Sequence, residues 1–203
     1  MNKIIQLIIF VSFALLLIPS CRKAKERIFL NPEFTLKGQK LFKGTVLMDL
    51  NEDLSGLKKF EITFGKKKLK FDVQVEYFNN RLTLVAMTPI KSRLFVIQHT
   101  KKYVRYLPEP FFKAPLKPIH ILRDFYLSEI SADKLKNRLA ILTLKEENKN
   151  NEHIREFYLA NEKLITITYK ENEVLFHNKL KDYVFKIKTV YSSKDDLNNG
   201  KKD

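Results

Sequence analysis

The residues that could carry chemistry are few and widely spaced in this chain. The histidines His99, His120, His153 and His177 include no pair at the three- or four-residue spacing of metal ligands. No Gly-x-Ser-x-Gly segment and no Ser/His/Asp order stands out, and five glycines are too few to favour a Gly-rich nucleotide loop. The sequence therefore predicts a protein that is not an enzyme and has neither a metal site nor a cofactor.

The single cysteine, Cys21, follows a charge-free apolar run from residue 4 to residue 18. A short basic start before a run of this length is typical of a secretory signal. A permanent transmembrane helix is the alternative, but such a helix normally needs about 20 apolar residues, and Pro19 ends the run. We expect a signal peptide at 1–20 and a basic, polar tether at 21–39.

The segment Ile18-Pro19-Ser20-Cys21 resembles a bacterial lipobox, after which the signal is removed and the cysteine is lipid-modified. The resemblance implies that Cys21 is acylated and that several acyl chains anchor the protein stably to membrane lipid. Because Arg22 is not the Asp associated with inner-membrane retention, it also implies the outer membrane, with the domain facing the periplasm. The alternative is an incidental thiol within a signal peptide.

The formal net charge of +15 makes nucleic acid a conceivable partner. Secretion argues against that partner, and an anionic membrane surface attracts Lys and Arg by ~1 kcal/mol each. A proteome-wide preference for Lys is the alternative explanation, and the basic runs at 65–70 and 99–105 suit solvated turns and outer strand faces. We expect no nucleic-acid partner.

Alternation of apolar and polar residues with period two dominates the chain from residue 41 onward. In "KLKFDVQVEYF" the apolar side chains share one face, as in an antiparallel sheet with one buried side, and Asn79-Asn80 then predicts a tight turn. The same pattern predicts eleven strands, at 41–48, 58–64, 68–78, 81–87, 92–98, 102–106, 140–146, 154–159, 163–170, 173–178 and 183–190.

A proline-rich loop and two short helices interrupt the strands. Four prolines between 108 and 118 exclude a central strand, "IHILRDFYL" has helical spacing, and Ser131 is a candidate N-cap of a second helix. We expect a mainly β (α+β) fold: a strongly curved antiparallel sheet, or unclosed half-barrel, with a short helical lid over its concave face. The domain is predicted at 40–191 and a disordered tail at 192–203.

In the order of its strands and in the proline-rich, helical insertion between them, the chain resembles an uncharacterised family of bacterial outer-membrane lipoproteins related to LolB. The similar segments are "RLTLVAMTPIKSRLFVIQHT", "PIHILRDFYLSEISADKL" and "EKLITITYKENEVLFHNKLKDYVFKIKT". The resemblance covers residues 41–190 and implies a LolA/LolB-like fold, in which a helical lid covers a hydrophobic cavity that holds acyl chains.

The lid residues would be Leu122, Phe125 and Tyr126. Arg123 and Asp124 between them could form an ion pair that tunes opening of the lid, but a solvent-facing pair is favoured. We expect a monomeric outer-membrane lipoprotein that binds a lipid or an acylated lipoprotein cargo as acceptor or carrier. The alternative is a structural lipoprotein that assists outer-membrane assembly without a ligand, whose apolar face is a core without a void. The predicted cavity-lining residues are Phe71, Val73, Val75, Leu82, Leu84, Phe95, Ile97, Ile165, Ile167, Phe185 and Ile187.

Overall fold

The computed structural model describes residues 25–30, 33–44, 46–50, 54–113 and 116–192. The predictions for the signal peptide, for Cys21 and for residues 193–203 lie outside these residues. The strands are β1 (Arg27–Leu30), β2 (Thr35–Leu36), β3 (Gln39–Lys40), β4 (Ser55–Phe64), β5 (Lys67–Phe78), β6 (Arg81–Met87), β7 (Arg93–His99), β8 (Tyr103–Pro108), β9 (Thr143–Lys149), β10 (Glu152–Leu159), β11 (Glu162–Lys170), β12 (Glu173–Asn178) and β13 (Tyr183–Ser192). The helices are α1 (Pro118–Glu129) and α2 (Ala132–Arg138).

Eleven strands form one antiparallel sheet in the order β1-β8-β7-β6-β5-β4-β13-β12-β11-β10-β9. Nearly all neighbours are consecutive in the chain, and the two halves of the meander join where β4 pairs with β13. Strands β1 and β9 are the edges and do not pair with each other, so the sheet is an open half-barrel. The predicted fold class is confirmed, and strands β2 and β3 form a separate hairpin.

Two of the tight turns are formed by pairs of asparagines, which tolerate positive φ angles. Asn79 and Asn80 have φ values of 48° and 56°, and Asn150 and Asn151 have φ values of 52° and 61°. Two consecutive residues with positive φ make a type I′ turn, whose twist matches that of the strands on either side. The predicted turn at Asn79-Asn80 is confirmed, and Asn150-Asn151 forms a second two-residue turn between β9 and β10.

Ten of the eleven predicted strands are present within three residues of their predicted bounds, but the strand predicted at 41–48 is wrong. Phe42 makes an isolated bridge to Leu139, and Leu47–Asp49 is a 3-10 turn. The apolar residues there come in adjacent pairs, Leu41-Phe42 and Val46-Leu47, and all four are buried. All four side chains belong to the core, whereas a strand would turn the two members of each pair to opposite faces, so this segment runs as an irregular strap.

The eleventh strand is β1, which lies within the segment that the sequence analysis assigns to the tether. It pairs with β8 from Arg27 opposite Tyr106 to Leu30 opposite Tyr103. Its side chains are exposed on both faces, so it has no alternating pattern by which the sequence could reveal it.

Helix α1 lies against the concave face of the sheet. It starts at Pro118, where a missing N–H costs nothing, and nine of its twelve residues are buried. Helix α2 follows at once, with Ser131 at the predicted N-cap position but without a side-chain capping hydrogen bond, and with Asp133 in its first turn. The side chains of both helices and of the concave face form one hydrophobic core.

Candidate functional site: the concave face and the helix that covers it

The residues predicted to line a cavity lie together on the concave face. Register places several of them side by side, with Val75 opposite Leu84 and Leu84 opposite Ile97, and Phe185 lies opposite Ile62, which was not among the predicted residues. All eleven are buried, and so are the lid residues Leu122, Phe125 and Tyr126. The structure thus brings the predicted wall and the predicted lid into one core, and a ligand cavity between them stays a prediction.

A pocket of about 340 Å³ opens where β1 and β8 meet the start of α1. We call it the mouth pocket. The Phe112 ring, at one side of it, is stacked on Phe95 with a centroid distance of 5.4 Å, so the pocket borders the core. Its lining residues are Arg27, Tyr106, Pro108, Phe112, Lys113, Leu116, Lys117 and Pro118. Among the described residues, a pocket of about 450 Å³ lies between the β9–β10 and β11–β12 turns, and another of about 600 Å³ lies on the outer face of the sheet.

Arg123 and Asp124 form a buried polar cluster, not a solvent-facing pair, so that expectation is wrong. The guanidinium donates to the Asp124 carboxylate over 2.7 Å and to the Tyr183 hydroxyl over 3.1 Å. Tyr183 donates to the second carboxylate oxygen, and Asn178 donates to the Tyr183 hydroxyl over 3.1 Å. Burial and the nearby Asp124 carboxylate raise the pKa of Tyr183, which keeps it a donor. The cluster ties α1 to β12 and β13.

A second tie joins α1 to β7 through His99 and Tyr126. The Nδ1 atom of His99 lies 2.5 Å from the Tyr126 hydroxyl, and both side chains are buried. Phe34 packs edge-on against both rings. Burial lowers the pKa of His99 from 6.5 to about 4, so its imidazole is neutral at pH 7.

The C-terminal end of α1 is held by side chains of the sheet. Arg155 donates to the carbonyl of Ile130 over 2.7 Å and to the Glu146 carboxylate over 2.8 Å. Tyr169 donates to the carbonyl of Ser128 over 2.9 Å. These donors satisfy carbonyls that a helix end leaves without intrahelical partners.

Lys58 adds an ion pair to this end of α1, since its Nζ lies 2.5 Å from the Glu129 carboxylate. The two side chains are 10% and 15% exposed, which shields the pair from solvent screening. Together with the Arg123 cluster and the His99 bond, these contacts attach the middle and the C-terminal end of α1 to the sheet.

Replacing Arg155 with leucine is expected to lower the free energy of unfolding by about 2–3 kcal/mol, because a buried carbonyl and Glu146 lose a charged donor. Urea denaturation followed by circular dichroism measures the effect. Arg93→Leu is the control, since that guanidinium is 59% exposed in its pair with Glu109, and we expect a change below ~1 kcal/mol. Equal effects of the two substitutions would contradict a capping role for Arg155.

Among the described residues, no group of three or more His, Cys, Asp or Glu side chains could hold a metal ion. No helix in the described part of the chain is both long enough and apolar enough to cross a bilayer.

A family model matches residues 56–191, from β4 to β13. The chain belongs to the DUF3261 family. This family is described as proteins of unknown function, and its match covers both helices and ten of the eleven strands of the large sheet. No curated protein matches the chain.

Two solved structures are distantly similar to this DUF3261 protein. One is described as an outer membrane lipoprotein-sorting protein domain from Vibrio parahaemolyticus, with a TM-score of 0.37 and 11% identity over 73% of this chain and 90% of that one. The other is a DUF1329 family protein from Desulfovibrio piger, with a TM-score of 0.30 and 10% identity over 69% of this chain and 84% of that one. The architecture of this chain is established by its own strand order and register, independently of these two structures.

Proposed function

We propose that this DUF3261 protein is an outer-membrane lipoprotein that binds an acyl chain of a lipid or of a lipoprotein beneath α1. It would act as an acceptor or carrier and would perform no covalent chemistry. The observation that carries the proposal is the mouth pocket, which lies at the rim of an apolar concave face covered by one helix. Half-barrel, helix and opening supply the parts that an acyl-chain site needs.

The position of the mouth pocket relative to Cys21 supports a membrane role. Arg27 lines the pocket and lies six positions after Cys21 in the sequence. At no more than about 3.6 Å per residue, an acylated Cys21 would hold the pocket within roughly 20 Å of the lipid surface. The side chains of Ile28 and Leu30 on the edge strand β1 are 56% and 75% exposed, and Phe111 beside the pocket is 69% exposed. These side chains and the neighbouring lysines suit contact with an anionic bilayer surface.

Binding of a long acyl chain would require side chains of α1 to move aside. The mouth pocket holds about 340 Å³, near the lower end of the range for small-molecule sites, so a long chain would also need room that α1 side chains occupy. Burying a long acyl chain contributes on the order of 10 kcal/mol at ~0.8 kcal/mol per methylene. That gain is large enough to offset the loss of several of the polar contacts that hold α1.

The buried state of α1 also favours a second candidate, a structural lipoprotein without a ligand. Nine buried residues of α1 fill the concave face, and a core packed in this way is stable without added lipid. Native mass spectrometry of residues 22–203 purified from cells separates the two candidates. A lipid that travels with the protein supports the carrier, and a mass equal to that of the chain alone supports the structural role.

Replacing Phe112 with aspartate is expected to weaken binding of a dansyl-labelled undecanoic acid by at least roughly tenfold, because a carboxylate beside the acyl path must be desolvated. Probe fluorescence at increasing protein concentration measures the affinity. Phe111→Asp is the matched control, since the neighbouring ring is exposed, and we expect its affinity within about twofold of the unchanged protein. Equal losses in both variants, or no loss in Phe112→Asp, would contradict binding through the mouth pocket.

A further inference from the structure

The outer face of the sheet carries a groove of about 600 Å³ that the half-barrel interior does not explain. It lies over β13, β4 and β5 beside the β6–β7 turn. We call it the outer groove and define it by Leu57, Lys59, Pro89, Lys91, Lys188 and Val190.

Most charges around the outer groove are neutralised by neighbours. Lys91 lies 2.7 Å from the Asp72 carboxylate, and Lys186 lies 2.6 Å from Glu173. Lys70 lies 3.2 Å from Glu61, a carboxylate that it shares with Lys68. Lys59 and Lys188 differ, since neither has an ion-pair partner among the described residues. Asp72 lies opposite Lys59 in the register but is engaged by Lys91. Lys59 and Lys188 are therefore the groove-lining lysines that have no carboxylate within ion-pair distance among the described residues.

These two lysines lie directly opposite each other. The register of β13 and β4 pairs Lys188 with Lys59, and both side chains point away from the core. Opposed residues on one face have Cβ atoms about 5 Å apart, and like charges at that distance destabilise a sheet. A structural role does not account for this cost, whereas an anion held between the two ammonium groups would remove it.

Apolar side chains lie beside the lysine pair. Leu57 is partly buried on β4, Pro89 comes from the β6–β7 turn, and Val190 is 48% exposed at the irregularity of β13. Inorganic phosphate would leave this surface uncovered. A ligand with a charged head and an adjoining apolar part would cover both.

We propose that the outer groove binds a phosphate-bearing lipid. The phosphate lies between Lys59 and Lys188, and the glycerol and the first methylenes of the acyl chains contact Leu57, Pro89 and Val190. This site is separate from the space beneath α1, and it does not depend on acyl binding there.

The test uses the full-length chain held in phosphatidylcholine nanodiscs and titrated calorimetrically with dihexanoyl phosphatidic acid, with empty nanodiscs as the blank. We expect this probe to bind at least roughly tenfold more tightly than dihexanoyl phosphatidylcholine or inorganic phosphate. Equal affinity for inorganic phosphate would overturn the lipid assignment, because the apolar surface would then contribute nothing. Equal affinity for phosphatidylcholine would overturn the role of the lysine pair.

The paired substitution Lys59→Gln/Lys188→Gln is expected to weaken phosphatidic acid binding by at least roughly tenfold. The control Lys101→Gln/Lys179→Gln removes two exposed turn lysines outside the groove and should change affinity by less than about twofold. Equal losses of affinity in both variants would show that the loss follows from net charge alone, and would overturn the site.

Because the groove variant Lys59→Gln/Lys188→Gln also loses a like-charge contact, its thermal unfolding midpoint should stay constant or rise by about 1–2 °C. Phe112→Asp should leave the preference for phosphatidic acid over phosphatidylcholine unchanged, because that preference comes from the lysine pair, and this result would separate the site from the mouth pocket.

Discussion

Replacing Asp124 with alanine is expected to lower the free energy of unfolding by about 3–5 kcal/mol. The substitution leaves the Arg123 guanidinium buried without its carboxylate and deprives the Tyr183 hydroxyl of its acceptor. Arg123 and Asp124 are each only 2% exposed, so water cannot replace the lost contacts without opening the core. Urea denaturation of residues 22–203 measures the loss as a lower midpoint with an unchanged slope.

Two variants separate the cost of an unpaired charge from the value of the pair. The triple substitution Arg123→Met/Asp124→Leu/Tyr183→Phe replaces the cluster with apolar groups, and we expect it to recover most of the loss. Glu61→Ala breaks two pairs at the surface, where Lys68 and Lys70 are 52% and 66% exposed, and should cost less than ~1 kcal/mol. If Asp124→Ala costs no more than Glu61→Ala, the cluster does not hold α1 against the sheet.

The strands were predictable where one face is buried and the other is wet. In β5 the buried residues Phe71, Val73 and Val75 alternate with Lys70 and Gln74, and this alternation is a property of the sequence itself. Turn chemistry added the second signal, since Asn79-Asn80 is compatible with the positive φ that the hairpin requires. The order and direction of most strands followed from these two signals.

Segments that do not have one buried face and one solvent-exposed face could not be predicted from the sequence. The edge strand β1 is exposed on both faces, so its residues Arg27–Leu30 show no period. The strap that includes Leu41 and Phe42 buries adjacent residues, and its high content of apolar residues led to the wrong prediction of a strand. In both cases pairing and burial depend on contacts distant in sequence, such as Phe42 with Leu139.

The candidate sites show the same division. Apolar residues of the concave face, such as Phe95 and Ile97, were predictable because core and cavity wall have the same pattern. The burial of Asp124 was not, since its acceptor role depends on Tyr183, 59 positions away. The opposition of Lys59 and Lys188 likewise depends on the pairing of the fourth and last strands, which no local pattern specifies.

Acidification from pH 6.5 to pH 4 is expected to lower the free energy of unfolding by up to about 3 kcal/mol through His99 alone. The unfolded imidazole takes up a proton near pH 6.5, whereas burial lowers the pKa of the folded imidazole to about 4. Between these values the unfolded state binds more protons, so stability is fully present above pH 6.5 and falls as the pH falls toward 4.

Substituting His99 with glutamine keeps a polar partner near the Tyr126 hydroxyl but removes the titrating ring. We expect urea denaturation between pH 7 and pH 4.5 to show a shallower decline than in the unchanged protein. Both proteins retain the part due to His120, whose pKa burial and nearby Arg123 also lower to about 4. Phe34→Leu is the control, because it removes ring contacts with His99 and leaves the imidazole in place, which should lower stability at every pH without changing the slope. If the free energy of unfolding falls with pH equally in His99→Gln and in the unchanged protein, protonation of His99 does not cause the loss of stability in acid.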